Sequence, residues 1–249
     1  MNVLITGASS GIGRDMARVL HKMGHNLFLV ARREKLLEEL KAELDGKPEI
    51  ISLDLSLKEN CFDLYERLKD KNIDILINNA GFGVFGEFDK SPLSRELKLI
   101  DLNIHALHIL TKLFLSDFKE KNSGYILNVA SSAAFLPGPL LSSYYASKAY
   151  VLRLTTAIYE ELRRKKSNVY VGCLCPGPVD TEFNQTAGVK FNLKSLKSKD
   201  VAEYAIKKMF KKKLIIIPGF KIKMGVFFQK FVSTKQLLKI SYNIQHLKG

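Results

Sequence analysis

A phenol and an ammonium four residues apart form the first pairing in this chain that could move a proton. They are Tyr144 and Lys148, in the run Ser143-Tyr144-Tyr145-Ala146-Ser147-Lys148. On a helix residues four apart project from one face, and an ammonium beside a phenol favours the phenolate. The spacing therefore predicts a tyrosine with a lowered pKa. Such a group serves as acid or base near neutral pH, where an ordinary tyrosine at about 10 does neither well. Upstream, Asn128-Val129-Ala130-Ser131-Ser132 closes an apolar run. A Ser131 hydroxyl at the end of a strand could polarise a carbonyl oxygen held near Tyr144. Each residue alone is common, and a surface Tyr/Lys pair is the competing reading.

The second constellation is Thr6-Gly7-Ala8-Ser9-Ser10-Gly11-Ile12-Gly13, directly after the apolar Val3-Leu4-Ile5. Glycines between a strand and a helix permit a tight turn and let backbone N–H groups approach a pyrophosphate, with the helix N-terminus adding partial positive charge. The alternative is a turn that only packs strand on helix. After the next apolar run comes Ala31-Arg32-Arg33, where an NAD-selective site usually places a carboxylate for the ribose hydroxyls. A guanidinium there suits a 2′-phosphate instead, so NADP is expected ahead of NAD. Solvated charges at a helix start are the bland alternative.

These groups need a scaffold, and the chain supplies a regular one. Val3–Ile5, Asn26–Val30, Glu49–Leu53, Ile73–Ile77, Tyr125–Val129, Val169–Leu174 and Leu214–Ile217 read as seven buried strands. Helical patterns fill about 12–24, 33–44, 57–70, 94–120, 144–165 and 199–211. Such alternation predicts an α/β fold, a doubly wound parallel seven-stranded sheet of Rossmann type with helices on both faces. One domain is expected over 1–217, with 218–249 as a basic, partly amphipathic extension packed on it.

Taken in order, these segments resemble the short-chain dehydrogenase/reductase family over about residues 1–217. Thr6 to Gly13 matches its TGxxxGxG loop, Asn78-Asn79-Ala80-Gly81 its NNAG motif and Tyr144-x-x-x-Lys148 its YxxxK. Ser131 stands thirteen residues ahead of Tyr144, Asn103 lies where the family has a catalytic asparagine, and Pro176-Gly177 to Thr181 is similar to its PGxxxT segment. The resemblance implies a catalytic set of Asn103, Ser131, Tyr144 and Lys148. In it Tyr144 gives or takes the proton, Ser131 orients the carbonyl, Lys148 lowers the tyrosine pKa and binds the nicotinamide ribose, and Asn103 holds a water of the relay. It further implies cofactor contacts from Gly7, Ser9, Ser10, Gly11, Ile12, Gly13, Arg32, Arg33, Asp54, Leu55, Asn79, Ala80, Gly81, Tyr144, Lys148, Pro176, Gly177, Val179 and Thr181. Among these Asp54 would meet adenine, Asn79 brace the sheet and Thr181 face the carboxamide. Tyr145, three residues from Lys148, breaks the spacing and is read as packing or substrate wall. One departure stands out: many NADP-using members carry a basic residue before the second glycine, where this chain has Ser10. NADP selectivity therefore leans on Arg32, with Ser9, Ser10 and Arg33 as helpers.

The resemblance places the substrate among Phe82, Phe85, Phe135, Leu136, Pro137, Leu140, Leu141, Val179 and Phe183, which implies a small, mainly apolar carbonyl or alcohol. No metal site is expected. Cys61, Cys173 and Cys175 are too few for a disulfide framework and read as reduced core thiols. With no leader pattern at the start and no uninterrupted apolar stretch of about 18–20 residues, a cytoplasmic protein is expected, and a homo-oligomer by family habit.

The formal charge is +14, but eleven lysines and no acidic residue follow Glu203, so taking those eleven away leaves +3 for everything before. The excess is a property of the tail, which argues against a nucleic-acid module. Past Pro218-Gly219, Phe220, Met224, Phe227, Phe228 and Phe231 recur at helical spacing. They are expected to be buried over the pocket or against a subunit neighbour, with a membrane surface as the less favoured partner. A dinucleotide-binding redox sensor, or a membrane-associated reductase of lipid or acyl carbonyls, are the alternatives to a soluble-substrate enzyme.

Overall fold

The computed structural model describes residues 1–183, 187–188 and 195–246. Seven parallel strands make its central sheet in the order β3-β2-β1-β4-β5-β6-β9. They are β1 (Asn2–Thr6), β2 (Asn26–Ala31), β3 (Glu49–Ser52), β4 (Ile73–Asn78), β5 (Tyr125–Val129), β6 (Tyr170–Leu174) and β9 (Ile215–Ile216). A two-residue pair, β7 (Val179–Asp180) with β8 (Leu196–Lys197), lies outside the sheet and has no counterpart in the sequence reading.

The continuous apolar runs are explained by burial on both faces. Successive residues of a strand point to opposite layers: Val3 and Ile5 enter one core cluster while Leu4 enters the other, as do Leu27 and Leu29 against Phe28 and Val30. The first layer is covered by α1 (Gly11–Lys22), α2 (Glu34–Glu43) and α7 (Ser198–Phe210), the second by α3 (Lys58–Leu68), α5 (Leu107–Glu120) and α6 (Ser142–Arg164). The fold is thus the expected doubly wound, Rossmann-like one.

The pattern at 94–120 proves to be α4 (Leu93–Ile100) running into α5 through a widened π turn, Asp101–Ala106. By length and composition alone this 28-residue helix could cross a membrane. Its Leu99, Leu110, Phe114 and Phe118 are instead buried in the protein. Cys61, Cys173 and Cys175 are free and buried.

The C-terminal extension departs from expectation. It forms two helices, α8 (Phe220–Phe228) and α9 (Thr234–His246), and α8 buries none of its residues. Ile222 packs on Gly177, and Ser241 and Gln245 are buried, but Phe220, Phe227, Phe228 and Phe231 face solvent. Helical spacing cannot distinguish a stripe that faces protein from one that faces outward.

Candidate active site

Strand β1 has β2 on one side and β4 on the other, so the chain leaves it in opposite senses and a crevice opens at the carboxyl ends of the strands. That crevice is a cleft of about 360 Å³. Gly7, Ser9, Ser10, Gly11 and Ile12 line it after β1, Arg32 and Arg33 after β2, Asp54 and Leu55 after β3, and Asn79, Ala80 and Gly81 after β4. Ser131, Tyr144, Lys148, Pro176, Gly177, Val179 and Thr181 complete its wall. Gly13 and Asn103, also expected at the site, do not line it.

The turn after β1 is shaped for something that presses on bare backbone. Gly7 has φ +65°, and a Cβ there would come within 2.8 Å of Ala80 Cα. At Gly13 a Cβ would run into Asn79 Nδ2 and the Gly7 carbonyl oxygen. Asn79 is the brace: its side-chain amide donates to the Thr6 and Gly7 carbonyls at 3.1 Å each, while its main-chain N–H donates to Thr6 Oγ1 at 3.0 Å. Helix α1 starts at this turn with no side-chain cap and no acid in its first turn. Its leading N–H groups and positive dipole end are therefore available to an anion, as a dinucleotide pyrophosphate requires.

The two arginines divide differently from expectation. Arg33 Nη2 donates to Ser10 Oγ at 3.0 Å, Ser9 Oγ at 3.3 Å and Glu182 Oε2 at 2.7 Å, so its guanidinium sits on the glycine-rich turn. Arg32 points toward Asp54, 3.8 Å away, and Asp54 also takes Lys98 at 3.1 Å. Burial alone would raise the Asp54 carboxyl, but hydrogen bonds from Ser56 and the Lys98 ammonium hold it below its ordinary value. The Arg33–Glu182 link, across 149 residues of sequence, carried no signal in the primary structure.

At the other end, Ser131 opens a short turn, Ser132–Phe135, where its Oγ accepts the Ala133 N–H at 3.1 Å. Helix α6 carries Tyr144 and Lys148 on one face, and the Tyr144 hydroxyl faces the Ser131 side chain. Lys148 Nζ donates to the Val129 carbonyl at 2.9 Å and lies 5.8 Å from the Tyr144 ring centroid. The expected lowering of the tyrosine pKa is not found. Burial pushes the phenol up to about 12 and the Ser131 hydrogen bond offsets only part of that. Burial also drives Lys148 down to about 8, against the nearby Cys173 and Cys175, so the ammonium is itself weakened by desolvation. At neutral pH Tyr144 is a protonated donor.

Asn103 sits inside the widened turn. Both N–H groups of its amide are used, on the Phe82 carbonyl at 3.0 Å and Ser147 Oγ at 3.1 Å, and its Oδ1 accepts the Phe82 N–H at 3.1 Å. The side chain thus clamps the segment after β4 to α6. Ser147, inside the Tyr-Lys motif and fully buried, is the partner that the sequence reading passed over.

Of the nine residues expected around the substrate, Phe82, Leu141, Val179 and Phe183 line the cleft. Phe135 packs instead against the core group of Leu107, Ala130, Ala134 and Cys173, and Phe85 against Leu141 and Ala187. Leu136, Pro137 and Leu140 do not line it. Tyr145 does, held between Gly138 and Gln245 of α9, whose Nε2 donates to the phenol oxygen.

Comparison with known proteins agrees with this geometry. The family model described as short chain dehydrogenase matches residues 1–190. An uncharacterized oxidoreductase of Staphylococcus epidermidis is 32% identical over 207 residues, spanning 82% of this chain and 88% of that protein. The short-chain dehydrogenase of Sphingobium yanoikuyae, solved with NADPH, superposes with a TM-score of 0.84 at 32% identity and covers 94% of this chain and 93% of its own. A family enzyme of Burkholderia phymatum solved with NAD shares the fold at 24% identity, with a TM-score of 0.83 and 92% of each chain covered.

Proposed function

Because the chain belongs to the short-chain dehydrogenase/reductase family and is an oxidoreductase, we propose that it transfers a hydride between NADP(H) and the carbonyl or hydroxyl carbon of a small, mainly apolar substrate. The carrying observation is Tyr144, half-buried with its hydroxyl facing Ser131, with Lys148 beside it on α6 and a glycine cradle at the opposite end of one cleft.

The nicotinamide supplies the hydride in reduction and accepts it in oxidation. Ser131 holds the carbonyl oxygen, and the Tyr144 hydroxyl gives that oxygen its proton as negative charge develops on it. In the reverse sense Tyr144 takes the proton from the alcohol. Its raised pKa favours the protonated donor, and a Lys148 ammonium 5.8 Å from the ring centroid would steady the phenolate once the proton has left. Asn103 acts by fixing Phe82 and Ser147 on either side of the reacting groups. The rings of Phe82, Phe183 and Tyr145 with Leu141 favour an apolar ketone or aldehyde.

NADP is supported by Arg33 on Ser9 and Ser10, with Arg32 beside Asp54 and arginine rather than a carboxylate directly after β2. The NADPH complex of the Sphingobium relative supports the same preference. The test is a screen of aliphatic and aromatic ketones and aldehydes, following NADPH absorbance. Turnover of an apolar carbonyl, lowered roughly 10²-fold or more in Tyr144→Phe, is expected. NADH-only turnover would refute the cofactor assignment, and turnover undiminished in Tyr144→Phe would refute the proton path.

A further inference from the structure

We propose that α8 and the lysines around it form a peripheral docking face for a bilayer that carries anionic lipid headgroups. The proposal is independent of the reaction, since its readout is binding alone.

Helix α8 is apolar on both sides. Its inner edge is used by the protein, where Ile222 packs on Gly177. The outer stripe is not. Phe220, Phe227, Phe228 and, in the next turn, Phe231 are 77%, 50%, 56% and 76% exposed. Single exposed apolar residues are ordinary, but a cluster this apolar marks a partner surface. Three of the rings form one patch, with Phe227 5.4 Å from Phe228 and 5.7 Å from Phe231, centroid to centroid.

The charge around the patch decides what covers it. Lys221 and Lys223 within α8 and Lys230 directly after it are exposed, as are Lys235 and Lys239 of α9, and no acidic residue follows Glu203. A second copy joined by a two-fold axis would set this face on itself, lysine against lysine. A nucleic acid would use rings set as stacking platforms for successive bases, whereas Phe227 meets both neighbours edge-on at 76° and 64°. An anionic bilayer satisfies both features at once: phenyl rings enter the acyl boundary while lysine stems reach back to the phosphates.

The test uses the full chain in co-sedimentation with phosphatidylcholine vesicles, with and without about a third phosphatidylserine. Binding is expected only to the anionic vesicles at low salt, and release at about 0.5 M salt, where screening is strong. Each lysine near the surface multiplies affinity about fivefold, so Lys221→Gln, Lys223→Gln and Lys230→Gln together should weaken binding roughly 10²-fold. Replacing Phe227, Phe228 and Phe231 by serine should weaken it by about tenfold or more, with the melting curve preserved because the rings are exposed. The unmutated chain's choice between the two vesicle types decides the matter even if a variant misfolds. Failure to sediment with either type, equal binding to both, equally tight binding of a single-stranded oligonucleotide, or an oligomer that the serine variant dissociates would each overturn the proposal.

Discussion

Arg33 offers the sharpest test of cofactor choice, because its guanidinium already holds three oxygens that a 2′-phosphate would have to join or displace. It donates to Ser9, Ser10 and Glu182, and its side chain is half exposed. A charge-assisted contact to a phosphate contributes about 1.5–3 kcal/mol. Against this stands the loosening of the Glu182 pair, an exposed ion pair of about 0.2–1 kcal/mol. The difference leaves roughly 0.5–2.8 kcal/mol, or about 2- to 100-fold in affinity. Arg33→Ala is therefore expected to weaken NADPH by that factor while NADH changes less than about twofold. Arg32→Ala, which removes a group 3.8 Å from Asp54, should have the smaller effect. Glu182→Gln should do the opposite and tighten NADPH by up to about fivefold, since a neutral amide releases Arg33. Titration by nicotinamide fluorescence or calorimetry reads all three. An equal loss for NADPH and NADH in Arg33→Ala, or weaker NADPH binding in Glu182→Gln, would refute the reasoning.

Deleting the general acid in Tyr144→Phe should lower kcat roughly 10²-fold or more with cofactor Kd nearly unchanged, whereas Tyr145→Phe should act mainly on substrate KM. The reverse pattern in steady-state kinetics would reassign the acid. Lys148 is depressed from 10.5 to about 8 in the fold, so its charge opposes folding below about 8 and that penalty fades as pH rises toward 10.5. Urea unfolding should accordingly show the parent gaining stability relative to Lys148→Met between about pH 7 and 10; parallel curves would contradict the depressed pKa. Gly13→Ala, which in an ordinary helix would stabilise by about 1 kcal/mol, should instead lower Tm by roughly 2–12 °C, since the added carbon meets Asn79 and the Gly7 carbonyl. An unchanged Tm would show that the turn can relax.

Much of the fold was legible in the sequence because a sheet buried on both faces demands unbroken apolar strands, and Val3–Ile5 or Ile75–Ile77 admit few other readings. The site residues were legible because the chemistry fixes their spacing: one helical turn sets Tyr144 beside Lys148, and glycine is required where backbone must approach backbone at Gly7 and Gly13. The remainder depended on neighbours distant in the chain. Spacing suggested a lowered tyrosine pKa, but desolvation is set by everything packed around Tyr144 and drives it the other way. Neither the seat of Arg33 on Ser9 and Ser10 nor its partner Glu182 is written in any local pattern, because Glu182 lies 149 residues on in the chain. Phe135 and Phe183 look alike in sequence, yet one enters the core and the other the cleft. The same holds for α8: periodicity identifies an apolar stripe, but only the packing of Ile222 against Gly177 determines which side of the helix meets protein and leaves the phenylalanines outside.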